Sequence, residues 1–438
     1  MESDVMSASL AAALATEDVA PEAPIRLLYI VSLFPCWSET FIVREIQALL
    51  MAGLDVRILS LRHPSEALVQ SDARAMLPRV EYPPRGWAGA VAALRELVRS
   101  PRVHARLLGE FVAALWAKPV ALAKTVVAWW RTLALAPRVR ELAPRAIHAH
   151  WATYPSTAAL ALARTLGIPF SFTSHAHDIF VEDHLIATKL REARFAVTIS
   201  EFNRALLARR YGGEAVARLH VVRCGVSPED LAWAPGGTRK KGLLLAIGRL
   251  DEIKGFGVLI EACAQLRDAG IDFRCEIVGE GPLRGVLERD IARLDLAQRV
   301  TLSGALPQEQ VRRRLYEASV FVMPSVVAPD GNMDGVPVAL MEAMAVGLPV
   351  VSTTVSGIPE IVRDGWSGRL APPADRMALA EAIRALLEDA DARKRFAVNA
   401  RETVERGFNV AIEAGRLRGL LDQAIAGPFP AAAERRPA

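Results

Sequence analysis

At 438 residues the chain is too long for one ordinary hydrophobic core, so two domains of about 200 residues each are expected. Hydrophobic residues make up 52% and charged residues 23%, enough to bury two sizeable cores. With 53 Lys and Arg against 49 Asp and Glu, the net charge of +4 favours anionic ligands such as nucleotides, phosphates or an anionic membrane face, but it is too mild for a committed nucleic-acid binder.

The opening "MESDVMSASLAAALATEDVAPEAP" has no basic leading segment and carries acids on both sides of a short small-residue run. It is expected to be a mobile tail over residues 1–24, not a signal peptide. "IRLLYIVSLF" predicts a first strand, "ETFIVREIQALLMAG" a helix closed by Gly53, and "DVRILSLR" a second strand. Residues 107–140 come closest to a membrane span, yet Lys118, Lys124, Arg131, Arg138 and Arg140 interrupt the roughly 18 apolar residues that spanning needs. The stretch reads either as two core-packed helices with Pro119 opening the second, or, with Trp116, Trp129 and Trp130, as a basic surface lying in a membrane interface.

"AIHAHWA" then predicts a strand, "STAALALARTLG" a helix ended by Gly167, "IPFSFTSHAHD" a strand, and "FAVTISEFNRALLARR" a strand running into a helix. Strand, helix, strand at this spacing implies parallel pairing with crossover helices. "APGGTRKKG", residues 234–242, breaks the rhythm with Pro, paired Gly and clustered charge, as a linker does. The pattern restarts in "LLLAIG", "FRCEIVGEG", "VTLSGAL", "VFVMPS", "LPVVSTT" and "GRLAPP". The expected domains are therefore residues 25–233 and 243–408, followed by a terminal helix at 409–426 and a second tail at 427–438.

Cys36, Cys224, Cys263 and Cys275 are scattered and form no CxxC pair, which favours a reducing cytosol over a disulfide or zinc framework. His148 and His150 resemble a metal pair, but the sequence places no third ligand near them. Ligands of open parallel sheets bind beyond the carboxyl ends of the strands. Three unusual loops fall there in the second half: "GRLDEIKG" (248–255), "VGEGPLRG" (278–285) and "PSVVAPDGNMDGVPVALMEAMAVGLPVV" (324–351). Gly248, Gly279 and Gly281 allow close backbone approach, while Arg249 and Lys254 can neutralise a diphosphate. "GEGPLRG" is one residue too long for the dinucleotide fingerprint, and no Walker A pattern occurs. In the third loop Pro337 suits the first turn of a helix whose N-terminus would face a phosphate. Asp334 precedes that helix and Glu342 lies within it; an acid in an otherwise apolar helix needs a partner, either ribose hydroxyls or a neighbouring backbone group.

"GRLDEIKG", "VGEGPLR", "VTLSGALP" and "DGVPVALMEAMAVGLPVVSTTVSGIPEIV" occur in the order and spacing of retaining glycosyltransferases of family 4, and the chain resembles that family over roughly residues 25–425. "FPCWSETFIVREI" and "SHAHDIF" resemble its subgroup of bacterial exopolysaccharide enzymes, the colanic-acid type included. The resemblance implies an α/β GT-B architecture, two Rossmann-like domains whose parallel sheets face each other across a cleft, with the terminal helix crossing back to the first domain. It also implies transfer of a hexose, with retention, from a nucleotide-diphosphate sugar to a glycan or lipid-linked acceptor. No metal, other cofactor or nucleic acid is expected. Such an enzyme is expected in the cytoplasm, peripherally at the inner face of the membrane through residues 107–140.

Residue by residue, the resemblance puts Arg249 and Lys254 at the donor diphosphate, with Gly248, Gly279 and Gly281 in the loops beside it. Glu342 falls at the ribose hydroxyls, and Gly335, Val336, Pro337 and Val338 at the donor sugar and phosphates through their backbones. His175 falls beside the transferred sugar. Asp334 stands where the family's paired-glutamate motif has its first glutamate, one methylene longer. Two alternatives stand beside this reading: another GT-B enzyme, such as a nucleotide-sugar epimerase or phosphorylase, and a non-catalytic sugar-nucleotide-binding protein.

Overall fold

The computed structural model describes residues 26–36, 39–64, 70–182, 184–234 and 239–427. The tail expected at 1–24, nearly all of that at 427–438, and the centre of the linker expected at 234–242 lie outside the described residues.

Alternating apolar runs and helices build two sheets, each parallel throughout. The first holds β1 (Arg26–Val31), β2 (Asp55–Ser60), β3 (Val80–Glu81), β4 (Ala146–His150), β5 (Phe170–Ser174), β6 (Ala196–Thr198) and β7 (Leu219–Val221), in the order β3-β2-β1-β4-β5-β6-β7. The second holds β8 (Leu243–Ile247), β9 (Arg274–Val278), β10 (Val300–Gly304), β11 (Val320–Met323), β12 (Val350–Thr353) and β13 (Arg369–Ala371), in the order β10-β9-β8-β11-β12-β13. Helices cover both faces, so β4 and β5 are buried at every position instead of alternating. Of the polar residues this places in the interior, His148 is satisfied at both ring nitrogens, bonding Ser171 Oγ at 2.8 Å through Nδ1 and Thr173 Oγ1 at 3.0 Å through Nε2.

Between β3 and β4 the chain inserts three helices, Gly86–Arg99, Pro101–Leu115 and Pro119–Leu142. Pro119 occupies the first turn of the third, where its missing N–H costs nothing. Trp129 packs into a small core with Leu107, Phe111 and Leu133, whereas Trp116 is 75% exposed. No helix among the described residues is long and apolar enough to cross a membrane.

The last helix, Val410–Ala426, lies on the first sheet's side of the molecule. Its Leu417 and Leu421 share a core with Ile42, Ile46 and Leu49 of the helix Thr40–Met51. Asn409 caps it by accepting the Ala411 N–H at 2.9 Å. Entry is fixed by two backbone bonds, Val226 N–H to Phe408 O and Val410 N–H to Val226 O, both 2.9 Å. Gly225 permits this approach, since a Cβ there would stand 2.5 Å from Val410 N. None of the four cysteines is in a disulfide.

Candidate active site between the two sheets

Each sheet reverses its strand order beside its first strand: β1 lies between β2 and β4, and β8 between β9 and β11. At such a switch point the loops leaving neighbouring carboxyl ends diverge and open a crevice. In the second sheet those loops are "GRLDEIKG" after β8 and the long segment after β11 that ends at Pro337.

The two cations of "GRLDEIKG" lie in different surroundings. A short 3-10 turn, Glu252–Lys254, ends at Gly255, whose φ of +65° suits glycine. Lys254 Nζ donates to Asp334 Oδ1 at 2.7 Å, and Ser325 Oγ donates to Asp334 Oδ2 at 2.7 Å. The lysine is thereby fixed on the third loop, its stem lying over Gly248. Arg249 instead leaves 70% of its side chain exposed, with Asp251 3.9 Å away. The glycines after β9 serve the approach of two backbones: a Cβ on Gly279 would stand 1.8 Å from Gly248 O, and one on Gly281 2.5 Å from Leu250 O. The loops are joined there by bonds from Gly248 N–H to Val278 O at 3.0 Å and from Leu250 N–H to Glu280 O at 2.9 Å.

The helix runs Val338–Ala345, and Pro337, with ψ of 127°, is the extended residue immediately before it. Its carbonyl accepts from Leu340 N–H at 3.1 Å, so it still opens the first turn. Two residues earlier, Gly335 meets the first domain: a Cβ there would lie 2.7 Å from Ile199 Cδ1 and 3.7 Å from Ala176 Cβ. Val336 reaches across beside Gly357, which also meets Ser200. Within the protein, Glu342 Oε1 accepts from Arg44 Nη2 at 2.5 Å.

On the facing side, β5 delivers His175 to the interface. Asp178 Oδ1 accepts the His175 N–H at 2.7 Å, and its Oδ2 accepts the Ala152 N–H. Lys189, fully buried, donates to the carbonyls of Ala152 at 2.6 Å, Thr153 at 2.8 Å and His184 at 3.0 Å. Burial drives these groups towards neutrality: Asp178 is pushed up to about 7 and Lys189 down to about 7. The His175 ring is held by Trp151, Phe41 and His150, with centroids at 4.6, 5.1 and 4.8 Å. Trp151 reaches it from a backbone φ of +84°, a conformation that non-glycine residues rarely adopt. Burial, with a lesser contribution from His148, lowers His175 to about 3, so the imidazole is neutral. Its Nε2 is buried with no partner.

The histidine pair that lacked a third ligand in the sequence acquires one in space. Ligand atoms of Glu45, His148 and His150 lie within 4.8 Å of one another, because the Thr40–Met51 helix packs over β1 and β4. The trio is already engaged in hydrogen bonds: Tyr29 Oη donates to Glu45 Oε1 at 2.6 Å and sits against His150 Nδ1, while both nitrogens of His148 are taken by β5 hydroxyls. Burial pushes Glu45 up to about 7 and His148 down to about 3, towards the neutral forms that such a network holds. The network stands behind His175, whose ring stacks on His150, and His150 Nε2 is buried there with no partner.

Across the two domains, Gly335 thus stands beside Ala176, the residue after His175, and Glu342 meets Arg44. Sequence reasoning missed Arg44, Glu45, Ser325 and Lys189. The first two had a visible signal, adjacent charges in the otherwise apolar helix "TFIVREIQALLM".

Residues 38–230 match the family profile described as Glycosyltransferase Family 4, and residues 230–403 match that of Glycosyl transferases group 1, the two meeting where one sheet gives way to the other. Both halves of the chain are thus glycosyltransferase domains. The amylovoran biosynthesis glycosyltransferase AmsK of Erwinia amylovora is 42% identical over 207 residues, which cover 47% of this chain and 51% of that protein. WcaL of Escherichia coli K12, assigned to colanic acid biosynthesis, is 42% identical over 208 residues, covering 47% of this chain and 50% of that one. The chain spans about half the length of these curated relatives. Among solved structures, the sucrose-phosphate synthase of Thermosynechococcus elongatus superposes with a TM-score of 0.68 at 21% identity, covering 91% of this chain and 100% of that one. Anabaena HepE in complex with UDP-glucose gives 0.66 at 18% identity, with the same coverage. The chain therefore has the GT-B fold.

Proposed function

We propose that this chain transfers a hexose from a nucleotide-diphosphate sugar to a glycan or lipid-linked glycan, with retention of anomeric configuration, in bacterial exopolysaccharide synthesis. The observation that carries the reading is the meeting of the "DGVPVALMEAM" loop, at the second sheet's switch point, with the loop after β5 that carries His175. The relatives named for amylovoran and colanic acid biosynthesis, and the neighbour solved with UDP-glucose, support the substrate class.

Breaking the anomeric C–O bond builds negative charge on the β-phosphate while the sugar gains oxocarbenium character. Lys254, Arg249 and the N-terminus of the helix Val338–Ala345 supply positive potential at that leaving group, a preorganised contribution that is commonly the largest in catalysis. No resident metal is needed for this role. Neutral His175 offers its unpartnered Nε2 to a sugar hydroxyl. The acceptor attacks from the leaving-group side, and the departing phosphate takes its proton. Glu342 binds the ribose, and cleft closure excludes water.

The test is release of free nucleoside diphosphate from UDP-, GDP- and ADP-sugars with membrane lipid extract as acceptor. Release from one donor, abolished by joint Arg249→Ala and Lys254→Ala substitution, is expected; binding of a nucleotide sugar without release would favour the non-catalytic alternative. An inverted anomeric centre in the product would overturn retention.

The acceptor reading includes a peripheral membrane contact at the hairpin tip between the helices Pro101–Leu115 and Pro119–Leu142. Val112, Trp116 and Val120 are exposed there, with Lys124 nearby on the same hairpin. Apolar rings flanked by cations suit an anionic bilayer surface. Sedimentation with phosphatidylglycerol vesicles is expected to exceed that with phosphatidylcholine, and W116S with V120S to reduce it about tenfold. Equal sedimentation of the variant would remove this surface from the proposal.

A further inference from the structure

The helix Thr40–Met51 carries a guanidinium that the donor reading above leaves unused. Arg44 Nη2 bonds Glu342 Oε1 at 2.5 Å, between residues 298 apart in the chain. The two side chains are only 13% and 15% exposed. A secluded ion pair offsets its desolvation only when the remaining protons and lone pairs also find partners. Arg44 Nη1 is buried and has none. The same helix reaches the other end of the candidate site, since Phe41, one turn before Arg44, packs on the His175 ring at 5.1 Å. One rigid element of the first domain therefore touches both the acid assigned to ribose and the histidine assigned to the sugar.

We propose that Arg44 is a donor-site residue contributed by the first domain. Nη2 orients the Glu342 carboxylate for ribose, and Nη1 receives an oxygen of the nucleotide, from either a ribose hydroxyl or a phosphate. A guanidinium can serve two acceptors at once through its fixed fork of donors, which an ammonium cannot do in the same geometry. Donor binding would then tie the two domains together through one side chain. This inference rests on the donor-site reading.

The experiment is calorimetric titration of the full chain with UDP, GDP and ADP, and with the matching nucleosides, for wild type, R44M, R44K, E342Q and the R44M/E342Q double variant. For whichever diphosphate binds wild type, R44M is expected to weaken binding at least tenfold and R44K at least threefold. The double variant should be little worse than E342Q alone, because the two residues act as a unit. With donor sugar, KM should rise in R44M by more than kcat falls. A loss that persists with the nucleoside assigns the oxygen to ribose; a loss confined to the diphosphate assigns it to phosphate. Unchanged or tighter binding in R44M overturns the proposal, as it would mean that the pair only joins the domains or competes with the nucleotide. If R44M does not fold, wild-type affinity in R44K overturns it equally. E342Q separates the two layers: loss in E342Q without loss in R44M or R44K removes Arg44 alone. No diphosphate binding by wild type, or none lost in E342Q, removes the donor reading and this proposal with it.

Discussion

Replacing Lys254 with methionine is expected to lower kcat by about a hundred- to a thousandfold, the usual consequence of removing one preorganised group that stabilises transition-state charge. The structure separates this loss from a folding defect. Lys254 and Asp334 are a largely shielded pair, so the single substitution leaves the carboxylate with Ser325 Oγ as its remaining hydrogen-bond donor among the described contacts. Uncompensated charge of this kind destabilises by a few kcal/mol, discounted here because part of each side chain still meets solvent. Adding Asp334→Asn removes the charge and should recover most of the lost Tm, but no turnover, because the cation is still missing. Recovery of turnover in the double variant would show that Lys254 acts only by neutralising Asp334. Arg249→Ala should cost less than Lys254→Met, since its exposed side chain has to be ordered by the ligand itself.

The second domain's site was legible because its information is local. A strand, a glycine, a turn and a helix follow one another within "LLLAIGRLDEIKGFGVLIEACAQL", and the switch-point rule places such a loop at a ligand edge. The extra residue in "GEGPLRG" was visible too, but its meaning was spatial: Gly279 and Gly281 accommodate the backbone of the preceding loop, an approach that a linear pattern does not describe. What stayed hidden depends on contacts between distant segments. Nothing local names the partner of Arg44, since Glu342 lies 298 residues away in the chain. Glu45 completed the His148 and His150 cluster only because its helix crosses the strands that carry them. The stretch at 107–140 showed the converse ambiguity, since helical apolar spacing marks a buried face without naming what covers the other. The structure buries Trp129 and leaves Trp116 outside, so one segment satisfies the core-packing reading and still presents an apolar tip.

Asp178→Ala should damage both stability and turnover, and its pH dependence distinguishes it from an ordinary core lesion. One carboxylate accepts the N–H groups of Ala152 and His175, so its loss leaves two buried donors unsatisfied, at about 1–3 kcal/mol each. It also releases the backbone on which the His175 ring is mounted, and kcat should fall about a hundredfold, as a misplacement of about 1 Å commonly causes. Burial is the leading reason that Asp178 is raised from 3.8 to about 7 in the folded protein, with its hydrogen bonds and Lys189 opposing. A folded-state pKa above the unfolded one contributes stability that is full below the unfolded value and is lost as pH rises through the folded one. The destabilisation caused by Asp178→Ala should therefore be larger at pH 5 than at pH 7.5. Lys189 has the opposite signature: lowered from 10.5 to about 7, chiefly by burial, its contribution is poorest below pH 7 and improves as pH rises towards 10. Between them these two groups contribute a dip near pH 7, of which Asp178→Ala should remove the acidic side and keep the alkaline one, while the slopes from Glu45, His148 and His175 are common to both proteins and cancel in their difference. Thermal melting of both proteins between pH 5 and pH 9 measures this directly. A difference in Tm that does not change with pH would mean that Asp178 stays ionised throughout, held so by its two N–H donors and by Lys189, and that the His175 loop is built on a charge instead of a neutral acid.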